Sequence, residues 1–328
     1  MKGMILAAGK GTRLRPYTEI IPKPLIPLAN RALICYNLDI LGAAGISEVI
    51  INLHHLAADI EGFFKANPYP GIKVSFSFEP ELLGTGGGIR KVEAFMAGES
   101  LAIINGDILT DFPLSEMIGF HRAGKALATL ALSRRPDLRR YGGVGVDSQG
   151  SISCFPHQNK EAAVKQGVFL GIQIVEPELV SRIPAGIFSC IVKDNYAHML
   201  KEKRILGLFD RESYWRDLGT PQSYLEAHLD LFQHEKFRRM SGLGKSHLKL
   251  PDDLKLDRSV ELIPPVVIGK GCRIGKSCRV GPGVSLGEQS VLEPGVEISS
   301  SIVWPRSRLS GHTSFINRIC FTPKKRFH

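Results

Sequence analysis

Met4-Ile5-Leu6-Ala7-Ala8-Gly9-Lys10-Gly11-Thr12-Arg13-Leu14-Arg15-Pro16 is the stretch from which the architecture is read. The apolar run Met4 to Ala8 has the pattern of a buried strand. Two glycines one residue apart then let the backbone bend tightly and turn bare N–H groups toward an anion. Arg13 and Arg15 add guanidinium forks, each able to grip two phosphate oxygens. A second basic site follows at Pro22-Lys23-Pro24, where two prolines stiffen the backbone around one lysine. The pattern predicts a strand followed by a turn that holds a nucleoside triphosphate by its phosphates.

Two other phosphate loops are excluded. A Walker A loop needs Gly-Lys followed by Ser or Thr, and here Gly11 follows Lys10. A dinucleotide fingerprint needs a third glycine where this chain has Leu14. The plainer alternative, an ordinary strand-to-helix turn, is disfavoured by the arginines and by Lys23.

Working outward, residues 1–230 alternate strand and helix signals. Leu33, Ile34, Leu38 and Leu41 share a helical face, with Gly45 as its stop. Val49 to Leu53 reads as a buried strand, Ile60, Phe63 and Phe64 as a helix, and Ile72 to Phe78 as a half-buried strand. Leu101 to Ile104 is again strand-like. Such alternation predicts an α/β domain with a Rossmann-like, mostly parallel sheet. Ligands of such sheets sit beyond the carboxyl ends of the strands. The glycine turn and Asn105-Gly106-Asp107 both fall there.

Residues 231–261 are polar and basic, with Gly242 and Gly244, and read as a connector. A new period follows over 262–315. Ile268, Ile274, Val280, Leu286, Leu292 and Ile298 recur every six residues, and Cys272, Cys278, Val284, Ser290 and Val296 form a second six-residue register. One inward aliphatic per six residues is the pattern of a parallel β-helix, here about two triangular coils. So few coils need a neighbour, either the N-terminal domain or another subunit, so a homo-oligomer is expected. Residues 316–328 read as a basic tail.

The 328 residues are 43% hydrophobic and 23% charged, an ordinary soluble composition. No run approaches a membrane span, and the single lysine before a very short apolar stretch does not make a signal peptide. Six scattered cysteines without a CxxC pair suit a reducing, cytoplasmic setting, and Cys272 and Cys278 read as small core residues rather than a metal pair. Net charge is +10, with 17 Lys and Arg against 8 Asp and Glu in residues 231–328. The preceding residues carry 25 against 24, so the basic excess lies away from the glycine turn. It reads as a solvated face, and no nucleic-acid-binding motif accompanies it.

Asp107 at a strand end suits Mg²⁺, which favours one or two carboxylates completed by phosphate oxygens and water. Asp217, in Trp215-Arg216-Asp217-Leu218-Gly219-Thr220-Pro221, is the second candidate. The competing readings are a turn aspartate for Asp107 and an N-cap or Asx turn for Asp217. Asp111 reads as a loop or cap residue. Gly84-Thr85-Gly86-Gly87-Gly88, placed between a strand and a helix, offers bare backbone to a flat base. A flexible loop is the alternative. No nucleophile constellation is present, and His54, His55, His157 and His198 read as surface or helix histidines. What remains is phosphoryl-type transfer, carried by positioning and charge neutralisation.

These stretches, with Leu83–Gly87, Tyr141-Gly142-Gly143, Gly171 in Phe169–Val175 and Asp217–Pro221, resemble in order the sugar-1-phosphate nucleotidyltransferases that carry a left-handed β-helix tail. The likeness is nearest to mannose-1-phosphate guanylyltransferases, and Leu83–Ile89 is also similar to N-acetylmuramate-1-phosphate uridylyltransferases. The resemblance implies attack of a sugar-1-phosphate oxygen on the α-phosphorus of a nucleoside triphosphate, with pyrophosphate released. It implies Arg13 and Lys23 as catalytic cations, with Ala8, Gly9, Gly11, Thr12, Gly84, Thr85 and Gly86 around the nucleotide. It places Asn105, Gly142, Gly143 and Gly171 at the sugar, and Asp107 and Asp217 on Mg²⁺. One departure stands out: the Glu-Lys-Pro segment of many members has no match in Ser153–Lys160, where Lys160 or Lys165 could substitute. Two rivals are a non-catalytic regulatory homologue and an acyltransferase using the β-helix and His312.

Overall fold

The computed structural model describes residues 1–156, 158, 163–210, 212–243, 245 and 247–322. His157, Lys160, Gly244 and the last six positions of the expected tail lie outside the described residues. By contact the chain divides into two compact units: Met1–Lys10 with Asn37–Trp215, and Gly11–Tyr36 with Arg216–His328. The glycine turn therefore contributes Gly9 to the first unit and Gly11 to the second.

The first unit is built on a nine-stranded sheet: β1 (Lys2–Leu6), β2 (Glu48–Leu53), β3 (Lys73–Phe78), β4 (Leu101–Asn105), β5 (Ala128–Ser133), β6 (Val144–Val146), β7 (Ile152–Cys154), β8 (Lys165–Val175) and β9 (Ile205–Asp210). The main path runs β7-β6-β8-β4-β1-β2-β3, with β5 paired to β8 and β9 to β5. Strands β4, β1, β2 and β3 are parallel, with Gly3 opposite Val49 and Ile5 opposite Ile104. Met4, Ile103, Leu130, Leu132 and Val175 fill the core on this sheet. Gly45, at φ 79°, ends the helix that begins at Leu33, as expected of a glycine stop.

The sheet is mostly parallel in strand direction, as expected, with β7 and β8 reversed. β8 runs antiparallel to β4, β5 and β6, and β7 antiparallel to β6. A parallel neighbour needs a crossover of about a dozen residues or more, usually helical. The parallel neighbours β1 and β2 meet that need with the helix Leu33–Ala43 between them. Residue patterns report burial, not strand direction, so the reversal of β7 and β8 was not readable beforehand.

In the second unit, residues 248–320 form three parallel sheets of five, four and three short strands, a left-handed β-helix. Both six-residue registers point inward: Val280, Val284, Leu286, Ser290 and Val296 are fully buried. The helix exceeds the two coils expected. Its first strand, Leu248–Lys249, lies inside the expected connector, and its last, Ile319–Cys320, lies inside the expected tail. Val266 pairs with Val284, eighteen positions on, whereas Ser285 pairs with Ile302, seventeen on. That one-residue shortening breaks the sequence period after Ile298, although Val303, Leu309 and Phe315 still line the core. The connector also carries a helix, Glu235–Met240. On the outside, Arg279 pairs with Glu261 and Arg308 with Glu293, each joining neighbouring coils, in keeping with a solvated charged face. Among the described residues no helix is long and apolar enough to cross a membrane.

Candidate active site

In the first unit, the end of β1 is pinned by buried polar groups. Ala7 N donates to Asn52 Oδ1 at 2.7 Å, and Asn52 Nδ2 donates to Glu79 Oε1 at 2.7 Å. Glu79 Oε2 accepts from Leu83 N at 2.9 Å. Asn52 is 2% exposed and Glu79 fully buried, so the three hydrogen bonds fix the Ala7-Ala8 turn relative to Leu83. Ala8 is buried, while Gly9 is exposed and a methyl there would meet nothing within 4 Å. No protein atom in reach requires that glycine, so its bare backbone is open to a ligand.

The glycines at 84–88 lie within helix Gly84–Lys91 rather than before it. A methyl on Gly84 would fall 2.6 Å from Ser189 O, on Gly86 2.7 Å from Asn195 Nδ2, and on Gly87 2.5 Å from Ile187 O. On Gly88 it would fall 2.8 Å from Glu79 Oε1. Close packing of the protein therefore accounts for these four glycines, with Gly84 also at φ 70°. Thr85 Oγ1 accepts from Ile191 N at 2.9 Å, which ties the start of this helix to the segment that carries Ile187, Ser189 and Asn195.

At the end of β4, a methyl on Gly106 would lie 2.9 Å from Leu6 O, so glycine lets the turn close against β1. Asp107 follows, partly buried. Gly171 sits at φ 74° in an irregularity of β8 between Phe169 and Gln173, and a methyl there would fall 2.5 Å from Asn105 Nδ2. Next to it, Leu170 O accepts from Trp215 Nε1 at 2.8 Å, and the Trp215 ring meets Tyr141 edge-on at 5.1 Å. Gly142 and Gly143 follow Tyr141; methyls there would approach Pro156 Cγ at 2.6 Å and Gln166 Oε1 at 3.0 Å. Asn105, Gly171 and the Tyr141–Gly143 corner thus gather around Trp215. Sequence reading passed over Trp215, although it is one of two tryptophans and two positions before Asp217. Asp111 is more than a loop residue: its Oδ1 accepts from Tyr214 N at 2.7 Å. Lys165, at the start of β8, is exposed.

In the second unit, Gly11 stands at φ 60° and opens the single turn Thr12–Leu14. Thr18 Oγ1 donates to Gly11 O at 2.8 Å, and a methyl on Gly11 would strike Thr18 Cγ2 at 2.8 Å. Thr12 and Arg13 are exposed; Lys23 is buried in the Lys23–Leu25 turn. Lys23 Nζ lies 3.9 Å from Asp217 Oδ1, with side chains 10% and 15% exposed. Gly219 marks where Arg13 joins them. A methyl on it would fall 3.0 Å from Arg13 Nη2 and 2.9 Å from Asp217 Oδ2. Thr220, not Asp217, caps helix Pro221–Gln233 by accepting from Ser223 N, and the Asp217 carboxylate faces Lys23. Ser223 Oγ donates to Asp217 O and holds its main chain. Among the described residues no three His, Cys, Asp or Glu side chains group as a metal cage. Mg²⁺ does not require one when phosphate oxygens and water complete its shell. A carboxylate flanked by an arginine and a lysine, with glycine clearing space beside it, fits such a shared shell.

The family described as Nucleotidyl transferase matches residues 2–234. The chain belongs to that family. Residues 265–300 match six bacterial transferase hexapeptide repeats. Over 305 residues this nucleotidyl transferase is 30% identical to a mannose-1-phosphate guanylyltransferase of Mycobacterium tuberculosis, covering 92% of this chain and 82% of that one. It is 28% identical over 339 residues to a UTP–glucose-1-phosphate uridylyltransferase of Synechocystis, covering 98% and 87%. Among solved structures, a putative glucose-1-phosphate thymidylyltransferase from Bacillus anthracis matches with a TM-score of 0.59 at 22% identity, over 70% of this chain and 94% of that one. HddC from Yersinia pseudotuberculosis matches with a TM-score of 0.56 at 24% identity, over 69% and 97%. At these identities the structural likeness speaks for the fold alone. The family resemblance read from the sequence is borne out.

Proposed function

We propose that this nucleotidyl transferase joins a nucleoside triphosphate to a sugar 1-phosphate, giving an NDP-sugar and pyrophosphate. The observation that carries the reading is the grouping of Arg13, Lys23 and Asp217 around Gly219. Two anions must meet for the reaction to occur, and their repulsion is the main obstacle. An oxygen of the sugar phosphate forms a bond to the α-phosphorus, and the bond from that phosphorus to the oxygen bridging to the β-phosphorus breaks. Pyrophosphate departs with the electron pair. Arg13 offsets the charge that grows on the leaving group, and Lys23 draws the two reacting phosphates together. Gly9, Gly11 and Thr12 present backbone N–H groups to the triphosphate. Ala8 and the Gly84, Thr85 and Gly86 backbone line the base. Asn105, Gly142, Gly143 and Gly171 approach the sugar. Asp107 and Asp217 would hold Mg²⁺, which supplies further charge neutralisation when bound.

The finer reading is guanylyl transfer to a mannose-type hexose or heptose 1-phosphate, supported by the Mycobacterium relative's name. Uridylyl transfer is favoured instead by the Synechocystis relative. The transfer part is assigned to residues 1–230, the connector begins at 231, and the β-helix runs from the strand Leu248–Lys249 to the strand Ile319–Cys320. The setting is cytoplasmic, and the assembly a homo-oligomer. Pyrophosphate release measured with Mg²⁺, four nucleoside triphosphates and a panel of sugar 1-phosphates tests the function. Turnover with GTP and mannose 1-phosphate is expected. Absence of turnover with every pair would overturn it.

A further inference from the structure

The two basic turns of the phosphate segment are fastened, within the second unit, to one residue of the β-helix. Trp304 is 1% exposed and follows the strand Ile302–Val303. Its ring lies 5.5 Å from Tyr17, and Phe321 completes a three-ring cluster, 5.2 Å from Tyr17 and 6.0 Å from Trp304. Tyr17 is four positions after Arg13, and the hydroxyl of its neighbour Thr18 holds Gly11 O. Trp304 also reaches the second turn. Its Nε1 donates to Tyr224 Oη at 3.1 Å, and Tyr224 Oη donates to Pro27 O at 2.6 Å, just after Lys23–Leu25. Tyr224 lies on the helix that begins after Asp217 and Gly219. One indole therefore bears on the Gly11–Arg13 turn, the Lys23 turn and the helix behind Asp217. Burial raises the Tyr17 hydroxyl above its ordinary pKa, with Cys320 adding to it, as expected of a ring wedged rather than displayed.

We propose that Trp304 is a positioning residue that sets the spacing of Arg13, Lys23 and Asp217. It touches no substrate; it acts through Tyr17 and Tyr224. The proposal rests on the reading of those three residues as the triphosphate site. A displacement of about 1 Å in such a site can cost on the order of a hundredfold in rate.

The test compares wild type with Trp304→Ala, Tyr17→Ala, the double variant and Leu292→Ala, a core change in another sheet of the same β-helix. For each, KM and kcat for both substrates, nucleoside triphosphate affinity by calorimetry without sugar, and the melting temperature are measured. Trp304→Ala is expected to lower kcat/KM for the triphosphate by about tenfold to a hundredfold. Its KM for the sugar phosphate should change less than its KM for the triphosphate, since of the three residues only Lys23 also bears on the sugar phosphate. Tyr17→Ala should do the same, and the double variant should be no worse than Trp304→Ala, since both act through one contact. Leu292→Ala should lower the melting temperature and leave the triphosphate KM alone. Trp304→Ala with unchanged triphosphate kinetics and affinity would overturn the proposal, as would Leu292→Ala reproducing its whole kinetic effect. Wild type that neither binds a triphosphate nor turns over would instead remove the function on which the proposal stands.

Discussion

At Asp217 the energetics of a single side chain can be followed. Its carboxylate is 15% exposed and 3.9 Å from an equally sheltered lysine. Little water separates the two, so their charges act strongly on each other and on any anion placed between them. Asp217→Asn keeps the shape and removes the charge. It is expected to lower kcat by on the order of a hundredfold to a thousandfold, about 3–4 kcal/mol, with a much smaller change in melting temperature. A kcat within twofold of wild type would remove Asp217 from the machinery. Asn52 has the opposite profile. Asn52→Ala leaves buried Glu79 and Ala7 N each short of a partner. That costs about 1–3 kcal/mol of stability, read by denaturant unfolding. Arg13, Lys23, Asp107 and Asp217 were singled out in the sequence because each is a charge within two positions of a glycine or proline. Asn52, Glu79 and Trp215 were not. Asn52 is a polar residue inside an apolar run, and Glu79 follows a strand, but only the fold reveals that they meet.

The β-helix shows at the level of elements what a repeat does and does not disclose. Inward aliphatics every six residues were visible from Ile268 to Ile298 because each is a large buried group at a fixed phase. Its last coil was hidden, since the shortening after Ile298 shifts that phase by one. Glycine at 287 is dictated by stacking, because a methyl would fall 2.3 Å from Pro305 N in the next coil. Gly287→Ala is expected to cost about 1–3 kcal/mol, seen as a lower melting temperature. Helix Pro221–Gln233 carries a second liability. Its His228 is fully buried against Phe232, and burial pushes the imidazole down to about 3 from its ordinary 6.5. Between those values the unfolded chain binds a proton that the folded chain does not. The stabilisation is therefore complete above pH 6.5 and is lost progressively as pH falls toward 3. His228→Leu should flatten the fall in stability across that range; an unchanged slope would show that other groups govern it.

For the whole molecule, the surprise is where the phosphate segment belongs. Residues 11–36 form a compact unit with residues 216–328, and Asn30 Nδ2 donates to Leu286 O inside the β-helix. The alternation of strand and helix signals suggested a catalytic part ending near residue 230 with a tail beyond. Contact order along the chain cannot be read from periodicity, so this return of the N-terminal segment was not visible. Deleting residues 248–328 should therefore cost cooperative unfolding of that unit and triphosphate binding, rather than merely trimming an appendage. A truncated chain that melts sharply and keeps its triphosphate affinity would contradict that. The central claim is that the α-phosphorus is the centre attacked and that its nucleoside goes with it to the sugar. It is tested most directly with nucleoside triphosphate radiolabelled at the α- or the γ-phosphorus, incubated with sugar 1-phosphate and Mg²⁺. The α-label should appear in the sugar product and the γ-label in pyrophosphate; γ-label in the sugar product, or no transfer of either, would contradict the account.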